Sequence, residues 1–230
     1  MDFKKLAAHK AVELVHPNAV IGLGAGSTMA HMVGFLQQAV QNGLNVGVAT
    51  SSFTTRQLLA QHGFTVLNTA DLAGIDIYFD GCDQFDKNLN ALKSGGGIHT
   101  QEKLLACMAT QFILVGDDTK YSETLQTNYP LVIEVLPQAF KYVAHAVPAL
   151  LPVAKMLPRL GDKRDGAVVT ENGNYLFDLW FDAWPPLATI NPVLKGITGI
   201  VETSLFYNIA SKAIIAGKTG VVVMRKGNQP

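Results

Sequence analysis

Short apolar runs alternate with stretches of helical spacing along the first half of the chain. Continuous apolar runs of about four to eight residues are typical of buried strands, and apolar positions three or four apart are typical of helices. Strands are predicted at 19–23, 46–49, 75–79 and 112–115, and helices at 3–15, 29–40, 54–61 and 102–110. This alternation predicts an α/β fold: a Rossmann-like open parallel sheet with helices on both faces.

The pattern changes after residue 130. Strands are predicted at 131–136, 167–170, 175–181 and 200–206, and helices at 138–150 and 189–194. Asn172-Gly173, between the two middle strands, is a strong hairpin-turn signal. The resulting order β-α-β-β-α-β predicts a smaller ferredoxin-like α+β domain.

The C-terminal part is expected to contain a last helix and a strand at 221–224 that return to the first sheet. The chain is therefore divided into a Rossmann-like catalytic domain at 1–128, a ferredoxin-like domain at 129–206 and a C-terminal return at 207–230.

Composition excludes several classes of protein. The formal net charge is zero, from 18 basic and 18 acidic residues, so the basic excess of a nucleic-acid binder is absent. The apolar runs are shorter than the roughly 20 residues needed to span a bilayer, and the N-terminus lacks the apolar core of a secretory signal. Cys82 and Cys107 form no CxxC motif. This cysteine usage is typical of a reducing compartment and argues against a structural zinc site. We expect a cytoplasmic protein without a nucleic-acid or membrane partner.

A glycine-rich loop, Gly22 to Thr28, joins a predicted strand to a predicted helix. Such a loop can bring backbone amides and the helix N-terminus against an anion such as phosphate. It is not a dinucleotide fingerprint, because Ser27 replaces the third glycine and the next strand ends in Thr50-Ser51-Ser52 rather than in a carboxylate. A tight turn with a capping hydroxyl stays the alternative.

Asp80-Gly81-Cys82-Asp83 follows the strand at 75–79. Two carboxylates at the end of a strand favour acid/base chemistry or metal binding, although one of them could simply cap a turn. No histidine or third carboxylate lies at ligand spacing, so metal binding is the weaker interpretation.

A second glycine-rich segment, Lys93-Ser94-Gly95-Gly96-Gly97, precedes Glu102. Consecutive glycines permit an anion-binding nest of amides beside the lysine. Residue chemistry alone does not distinguish a catalytic base at Glu102 from a carboxylate that favours a helix start. Lys120, after the strand at 112–115, could bind phosphate or lie in a solvated turn.

Together these segments resemble the A-type ribose-5-phosphate isomerase family of the pentose phosphate pathway. The resemblance covers nearly the whole chain, and the block at 80–103 is its most specific part. The motifs that carry it are Gly24-Ala25-Gly26-Ser27-Thr28, Thr50-Ser51-Ser52, Asp80-Gly81-Cys82-Asp83, 93–103, 117–120, 168–174 and 199–206.

The resemblance implies roles for individual residues. Glu102 matches the general base that moves a proton between the first two sugar carbons through an enediol. Asp80 matches a carboxylate of ring opening, Asp83 lines the same pocket, and Lys93 with its glycines matches the group that stabilises the enediolate oxygen. The residues implied for substrate binding are Ala25, Gly26, Ser27, Thr28, Gly81, Cys82, Ser94, Gly95, Gly96, Lys120 and Lys4. The family is similar in needing no metal or other cofactor, in binding a small sugar phosphate, and in forming homodimers or homotetramers.

The chain departs from the family pattern at several positions. Ala25 replaces a frequent threonine, Cys82 replaces an alanine, and Ser94 and Gly97 alter the glycine-rich segment. Two other functions fit these motifs less well. A sugar-phosphate sensor would not need Glu102, and an acyl-CoA transferase, whose glutamate forms a thioester, would not need the phosphate loop or the paired aspartates.

Overall fold

A computed structural model describes residues 1–162 and 165–226. The helices are α1 (Phe3–Val12), α2 (Ser27–Gln41), α3 (Phe53–Gln61), α4 (His99–Met108), α5 (Phe140–Leu150) and α6 (Leu187–Lys195). The strands are β1 (Ala19–Leu23), β2 (Val46–Thr50), β3 (Ile75–Asp80), β4 (Gln84–Asp86), β5 (Ala91–Leu92), β6 (Ala109–Asp117), β7 (Tyr121–Ser122), β8 (Leu131–Val135), β9 (Lys155–Pro158), β10 (Tyr175–Trp180), β11 (Ile200–Thr203), β12 (Leu205–Phe206), β13 (Lys212–Gly217) and β14 (Gly220–Arg225).

The main sheet has six strands in the order β14-β13-β6-β3-β1-β2. Neighbouring strands are parallel except for the terminal pair β13–β14. Side chains alternate between the two faces of a strand, so Phe79 of β3 packs with α1, α2 and α3, whereas Tyr78 packs with α4 on the other face. The predicted parallel sheet with helices on both faces is confirmed.

The smaller sheet has the order β11-β8-β10-β9, and all its pairs are antiparallel. Its face packs against α5 through Val143 and Val147, and against α6 through Ile190 and Leu194. The fourth, first, third and second strands of the unit lie side by side, as in a ferredoxin-like fold, so that part of the fold prediction is confirmed.

One strand of this unit was predicted at the wrong place. The segment 167–170 makes only isolated bridges, and the second strand is β9, where Pro158 and the exposed Leu157 obscure the strand pattern. The Asn172-Gly173 turn is present, with Gly173 at φ +78° and the amide of Thr170 bonded to the carbonyl of Asn174 at 2.8 Å.

The predicted last helix is also wrong. The segment 212–217 is strand β13, which lies between β6 and β14 and is buried over Ala213–Ala216. A strand covered on both faces reads as a continuous apolar run, which periodicity alone does not separate from a buried helix. The domain boundaries at 128/129 and 206/207 stay a prediction.

Other predicted boundaries also differ from the structure. The segment predicted as one strand at 200–206 is divided between β11 and β12, and β12 belongs to a third sheet of order β12-β5-β4-β7. Helix α4 begins at His99, three residues before its predicted start, and β6 already begins at Ala109. Across 1–162 and 165–226, no helix has the length and apolar character needed to cross a membrane.

Candidate active site

A cavity of about 290 Å³ lies at the carboxyl ends of β1, β3 and β6. Ligands of open α/β sheets bind at this edge, where the loops after the parallel strands converge. The lining residues are Lys4, Ala25, Gly26, Ser27, Thr28, Asp80, Gly81, Cys82, Asp83, Lys93, Gly95, Gly96, Glu102, Val115, Gly116, Asp117 and Lys120. All the predicted site residues except Ser94 are therefore brought together.

Asp80, the last residue of β3, is 1% exposed and is held from several directions. Its Oδ1 accepts the amides of Gly81 at 2.8 Å and Ala25 at 3.2 Å. Its Oδ2 accepts the phenol proton of Tyr78 at 2.7 Å. Burial, and secondarily the charge of Asp80, raises the pKa of Tyr78, so the phenol stays a donor to this carboxylate.

Gly24 gives space to the Asp80 carboxylate. A Cβ at Gly24 would lie 1.9 Å from both Cγ and Oδ1 of Asp80, far inside van der Waals contact. This glycine is required by close packing against the side chain of Asp80, because any other residue would displace the carboxylate.

Lys93 lies directly after β5, and its ammonium is bonded to three oxygens. Its Nζ lies 2.9 Å from Oδ2 of Asp80 and 3.2 Å from Oε1 of Glu102, and it donates to the carbonyl of Gly81 at 2.5 Å. Burial disfavours the charge, but the two carboxylates outweigh it and raise the pKa of Lys93. Lys93 is therefore a fixed cation between Asp80 and Glu102.

Glu102 lies in the first turn of α4, and its side chain is 7% exposed. Burial raises the pKa of Glu102 to about 8, with Lys93 opposing the shift and Asp80 adding to it. A carboxyl group that exchanges its proton near neutral pH suits general acid/base catalysis.

Asp83 organises the glycine-rich segment. Its Oδ2 accepts the amides of Ser94 at 2.6 Å and Gly95 at 3.0 Å. Those two amides are therefore occupied, whereas the amide of Gly96 donates to no residue within the described ranges. The side chain of Ser94 donates to the carbonyl of Pro130. Ser94, which was predicted to contact the substrate, does not line the cavity.

The opposite end of the cavity has the features of an anion site. Helix α2 begins at Ser27, preceded by Gly26 at φ +92°, and its first turn contains no acidic residue. Lys4, in the first turn of α1, donates to Oγ of Ser27 at 3.4 Å, and Lys120 lines the cavity from the other side. Free amides and two ammonium groups favour a phosphate here.

The Thr50-Ser51-Ser52 motif contacts residues next to the cavity and the glycine-rich loop at 22–28. Thr50 donates to the carbonyl of Leu23 at 2.6 Å, and Ser52 caps α3 by accepting from the amide of Thr55. Ser51 lies 3.0 Å from the phenol oxygen of Tyr78. The motif therefore does not line the cavity itself, but it holds Leu23 and Tyr78 next to residues that do.

Sequence reasoning missed Val115, Gly116 and Asp117 as lining residues, although their place at the carboxyl end of a predicted strand was a usable signal. Tyr78 gave no separate signal, because a tyrosine within an apolar run is typical of a core position. Within 1–162 and 165–226, no three His, Cys, Asp or Glu side chains are grouped to hold a metal ion.

The sequence of the chain is similar to those of known proteins. Residues 46–220 match the family model of ribose 5-phosphate isomerase A (phosphoriboisomerase A). A ribose-5-phosphate isomerase of Homo sapiens is 39% identical over 229 residues, which cover 98% of this chain and 73% of the human protein.

Two solved structures are similar over nearly the whole chain. The structure of ribose 5-phosphate isomerase A from Methanocaldococcus jannaschii has a TM-score of 0.90 and 32% identity, and the match covers 97% of this chain and 98% of that one. A D-ribose-5-phosphate isomerase in complex with phospho-erythronic acid has a TM-score of 0.91 and 30% identity, covering 98% of this chain and 100% of that one.

Proposed function

The chain belongs to the ribose 5-phosphate isomerase A family, and we propose that it interconverts D-ribose 5-phosphate and D-ribulose 5-phosphate in the non-oxidative pentose phosphate pathway. The observation that carries the proposal is the buried Glu102, with its raised pKa, 3.2 Å from Lys93 in a cavity whose other end is the N-terminus of α2. An acid/base group and an anion site in one small cavity suit proton transfer on a phosphorylated sugar.

The phosphate is proposed to bind at the start of α2. Ala25, Gly26, Ser27 and Thr28 line this end of the cavity, and the helix dipole favours an anion there. Lys4 and Lys120 add positive charge from two other elements. Binding energy from the phosphate, which does not react, can hold the sugar carbons against the catalytic groups.

Ring opening is assigned to Asp80. The step needs a group that takes the proton of the anomeric hydroxyl while the ring oxygen gains one. Tyr78, Lys93 and the Gly81 amide hold the Asp80 carboxylate in one orientation at the cavity wall. Asp83 lines the same wall, with Oδ2 on the amides of Ser94 and Gly95.

Proton transfer between carbons is assigned to Glu102. Its carboxylate removes the proton from C2 of the open aldose, leaving an enediolate with its charge on O1. A proton passes from the C2 hydroxyl to O1, and the protonated Glu102 then returns its proton to C1, so that the C2 carbonyl of the ketose forms. A positioned general base typically contributes about 10²–10⁴-fold to the rate. The raised pKa of Glu102 strengthens the base while leaving a share of it ionised near neutral pH.

The enediolate oxygen is proposed to bind Lys93 and the Gly96 amide. When Glu102 accepts the substrate proton it loses its charge, and the positive charge of the ammonium 3.2 Å away is then available to the newly formed oxyanion. Fixed donors in a site sheltered from water stabilise such charge strongly. Gly81, Cys82 and Gly95 complete the wall around the sugar.

The test is to mix the purified protein with ribose 5-phosphate in excess EDTA and to follow ketose formation. Turnover under these conditions is expected, because the assigned chemistry uses only side chains and amides. No turnover with or without added divalent metal would contradict the proposed function. Turnover only after metal addition would contradict the cofactor-free part alone.

We also propose that the protein works in the cytoplasm as a homodimer or homotetramer. Cys82 and Cys107 are free thiols, which suits a reducing compartment. Strand β9 lies at the edge of its sheet. Leu157 within it is 42% exposed and Leu160 just after it is 62% exposed, which suits contact with a second copy. Light scattering during size-exclusion chromatography over a dilution series would contradict this assembly if the mass stayed that of one chain.

A further inference from the structure

Arg159, from the ferredoxin-like unit, contacts the backbone of the glycine-rich segment at 93–97. It follows β9, and its guanidinium donates to the carbonyl of Ser94 at 2.8 Å and to the carbonyl of Gly95 at 3.1 Å. No other side chain described in the structure bonds both of these carbonyls. A planar guanidinium suits two acceptors at fixed spacing better than a lysine ammonium.

Asp178 of β10 fixes the guanidinium in turn. Its Oδ1 lies 2.5 Å from Nη2 and 3.1 Å from Nε of Arg159, and the two side chains are only 22% and 17% exposed. Arg159 therefore bonds both to an interior strand of the smaller sheet and to the glycine-rich segment.

The two sides of this segment are held by opposite charges. Asp83 accepts the amides of Ser94 and Gly95, and Arg159 donates to the carbonyls of the same two residues. Gly95 itself is exposed, so these bonds replace the packing that would otherwise fix the backbone.

The carbonyl contact also sets the direction of the Gly96 amide. In a trans peptide the carbonyl of one residue and the N–H of the next point in opposite directions. The carbonyl of Ser94 points to Arg159 while the amide of Gly95 points to Asp83, as this rule requires. Since the carbonyl of Gly95 also points to Arg159, the amide of Gly96 is turned towards the Asp83 side, where both residues line the cavity.

We propose that Arg159, held by Asp178, is a positioning residue that aims the Gly96 amide at the oxyanion formed during isomerisation. The inference rests on the proposed function, since it assigns a device that supports its charged intermediate. Arg159 touches no reacting atom and lies outside the cavity lining. Its loss should therefore weaken binding of the intermediate more than binding of the phosphate.

The experiment compares Arg159→Ala, Arg159→Lys and Asp178→Asn with the wild type. The matched control is Lys195→Met, which removes another ion pair of the same unit, that with Glu202 at 2.6 Å. Measured quantities are kcat and KM for ribose 5-phosphate, and the affinities for phospho-erythronic acid and for inorganic phosphate by calorimetry. Arg159→Lys keeps the charge and guards against a failure of Arg159→Ala to fold.

Both Arg159 variants should lose kcat by roughly 10- to 100-fold, somewhat less than the removal of an oxyanion donor. Affinity for phospho-erythronic acid should fall in parallel, while KM and phosphate affinity stay within about twofold, and Lys195→Met should behave as wild type. Unchanged kcat in the Arg159 variants, or an equal loss of both affinities, would overturn the inference. A wild type inactive on ribose 5-phosphate would contradict the proposed function instead, and the two binding affinities would still decide the role of Arg159.

Discussion

The ammonium of Lys93 lies 3.2 Å from the carboxyl oxygen of Glu102, and both side chains are more than nine-tenths buried. Lys93 also contacts Asp80, so one cation lies between two carboxylates. The site therefore contains two carboxylates of different character, since Asp80 accepts several fixed hydrogen bonds while Glu102 has a raised pKa. Such a difference separates the acid/base tasks of two groups in one cavity.

Glu102→Gln should abolish proton transfer while leaving the shape of the cavity intact. We expect kcat to fall by about 10²–10⁴-fold, the usual contribution of a positioned general base. Binding of phospho-erythronic acid, followed by calorimetry, should persist. Near-normal turnover of this variant would assign the base to another residue.

The pH dependence of kcat/KM should show the raised pKa of Glu102. The base must be ionised to accept the carbon proton, so activity is low below its pKa of about 8 and increases as pH rises through that value. Rates measured from pH 5.5 to pH 9.5, with phosphate binding measured in parallel to separate the ionisation of the ligand, test this. Activity that reached its plateau below pH 6 would contradict the assignment.

Gly24→Ala should displace the Asp80 carboxylate. The added Cβ would lie 1.9 Å from the Asp80 carboxyl group, so we expect kcat to fall by roughly 100-fold or more. The matched control is Gly34→Ala in α2, where an added Cβ meets nothing within 4 Å. That control should keep full activity and increase the free energy of unfolding by up to about 1 kcal/mol. Equal activities of the two variants would show that the Gly24 contact is unimportant.

Tyr78→Phe should remove the phenol donor to Asp80 with almost no change in volume. We expect a loss of about tenfold in kcat with little change in KM, and a decrease of about 1–3 kcal/mol in the free energy of unfolding, because Asp80 is left with one partner fewer in a buried site. Ser51→Ala, which removes only the hydroxyl beyond Tyr78, should have a smaller effect. An effect of Ser51→Ala equal to that of Tyr78→Phe would argue against a direct role of the phenol.

His99 should make the folded state sensitive to mild acid. It is fully buried, its Nδ1 has no partner within the described residues, and burial lowers the pKa of His99 to about 4. The unfolded chain binds a proton near the ordinary value of 6.5, so the stabilising contribution is fully present above pH 6.5 and is lost as pH falls towards 4. The loss amounts to about 3 kcal/mol over this window.

Urea unfolding of His99→Gln between pH 4 and 7 tests this expectation. The variant should depend less on pH than the wild type, whereas the exposed His145→Gln should follow the wild type. The buried Glu134 and the partly buried Glu202 have lowered pKa values and lose their contribution at more acidic pH. Identical pH slopes for His99→Gln and the wild type would refute the role of His99.

Much of the fold was predictable, because local patterns carried it. Each of the first three strands follows the apolar pattern of its own residues, and the glycine-rich loops mark the chain reversals at the sheet edge. The failures have physical causes as well. β13 is apolar on both faces and therefore resembles a buried helix, and β9 contains a proline and one exposed leucine.

The sequence by itself determined which chemical groups are available: the ordered motifs place Asp80, Lys93 and Glu102 in one block, to which the family resemblance assigns the catalytic roles, and they predict phosphate binding at the loop 24–28. Only the tertiary structure decided how those groups are held. The 1.9 Å constraint at Gly24 joins residues 56 positions apart, and the Arg159 contacts join residues 64 and 65 positions apart. Periodicity describes neighbours along a strand or helix, whereas these contacts arise where separate elements meet.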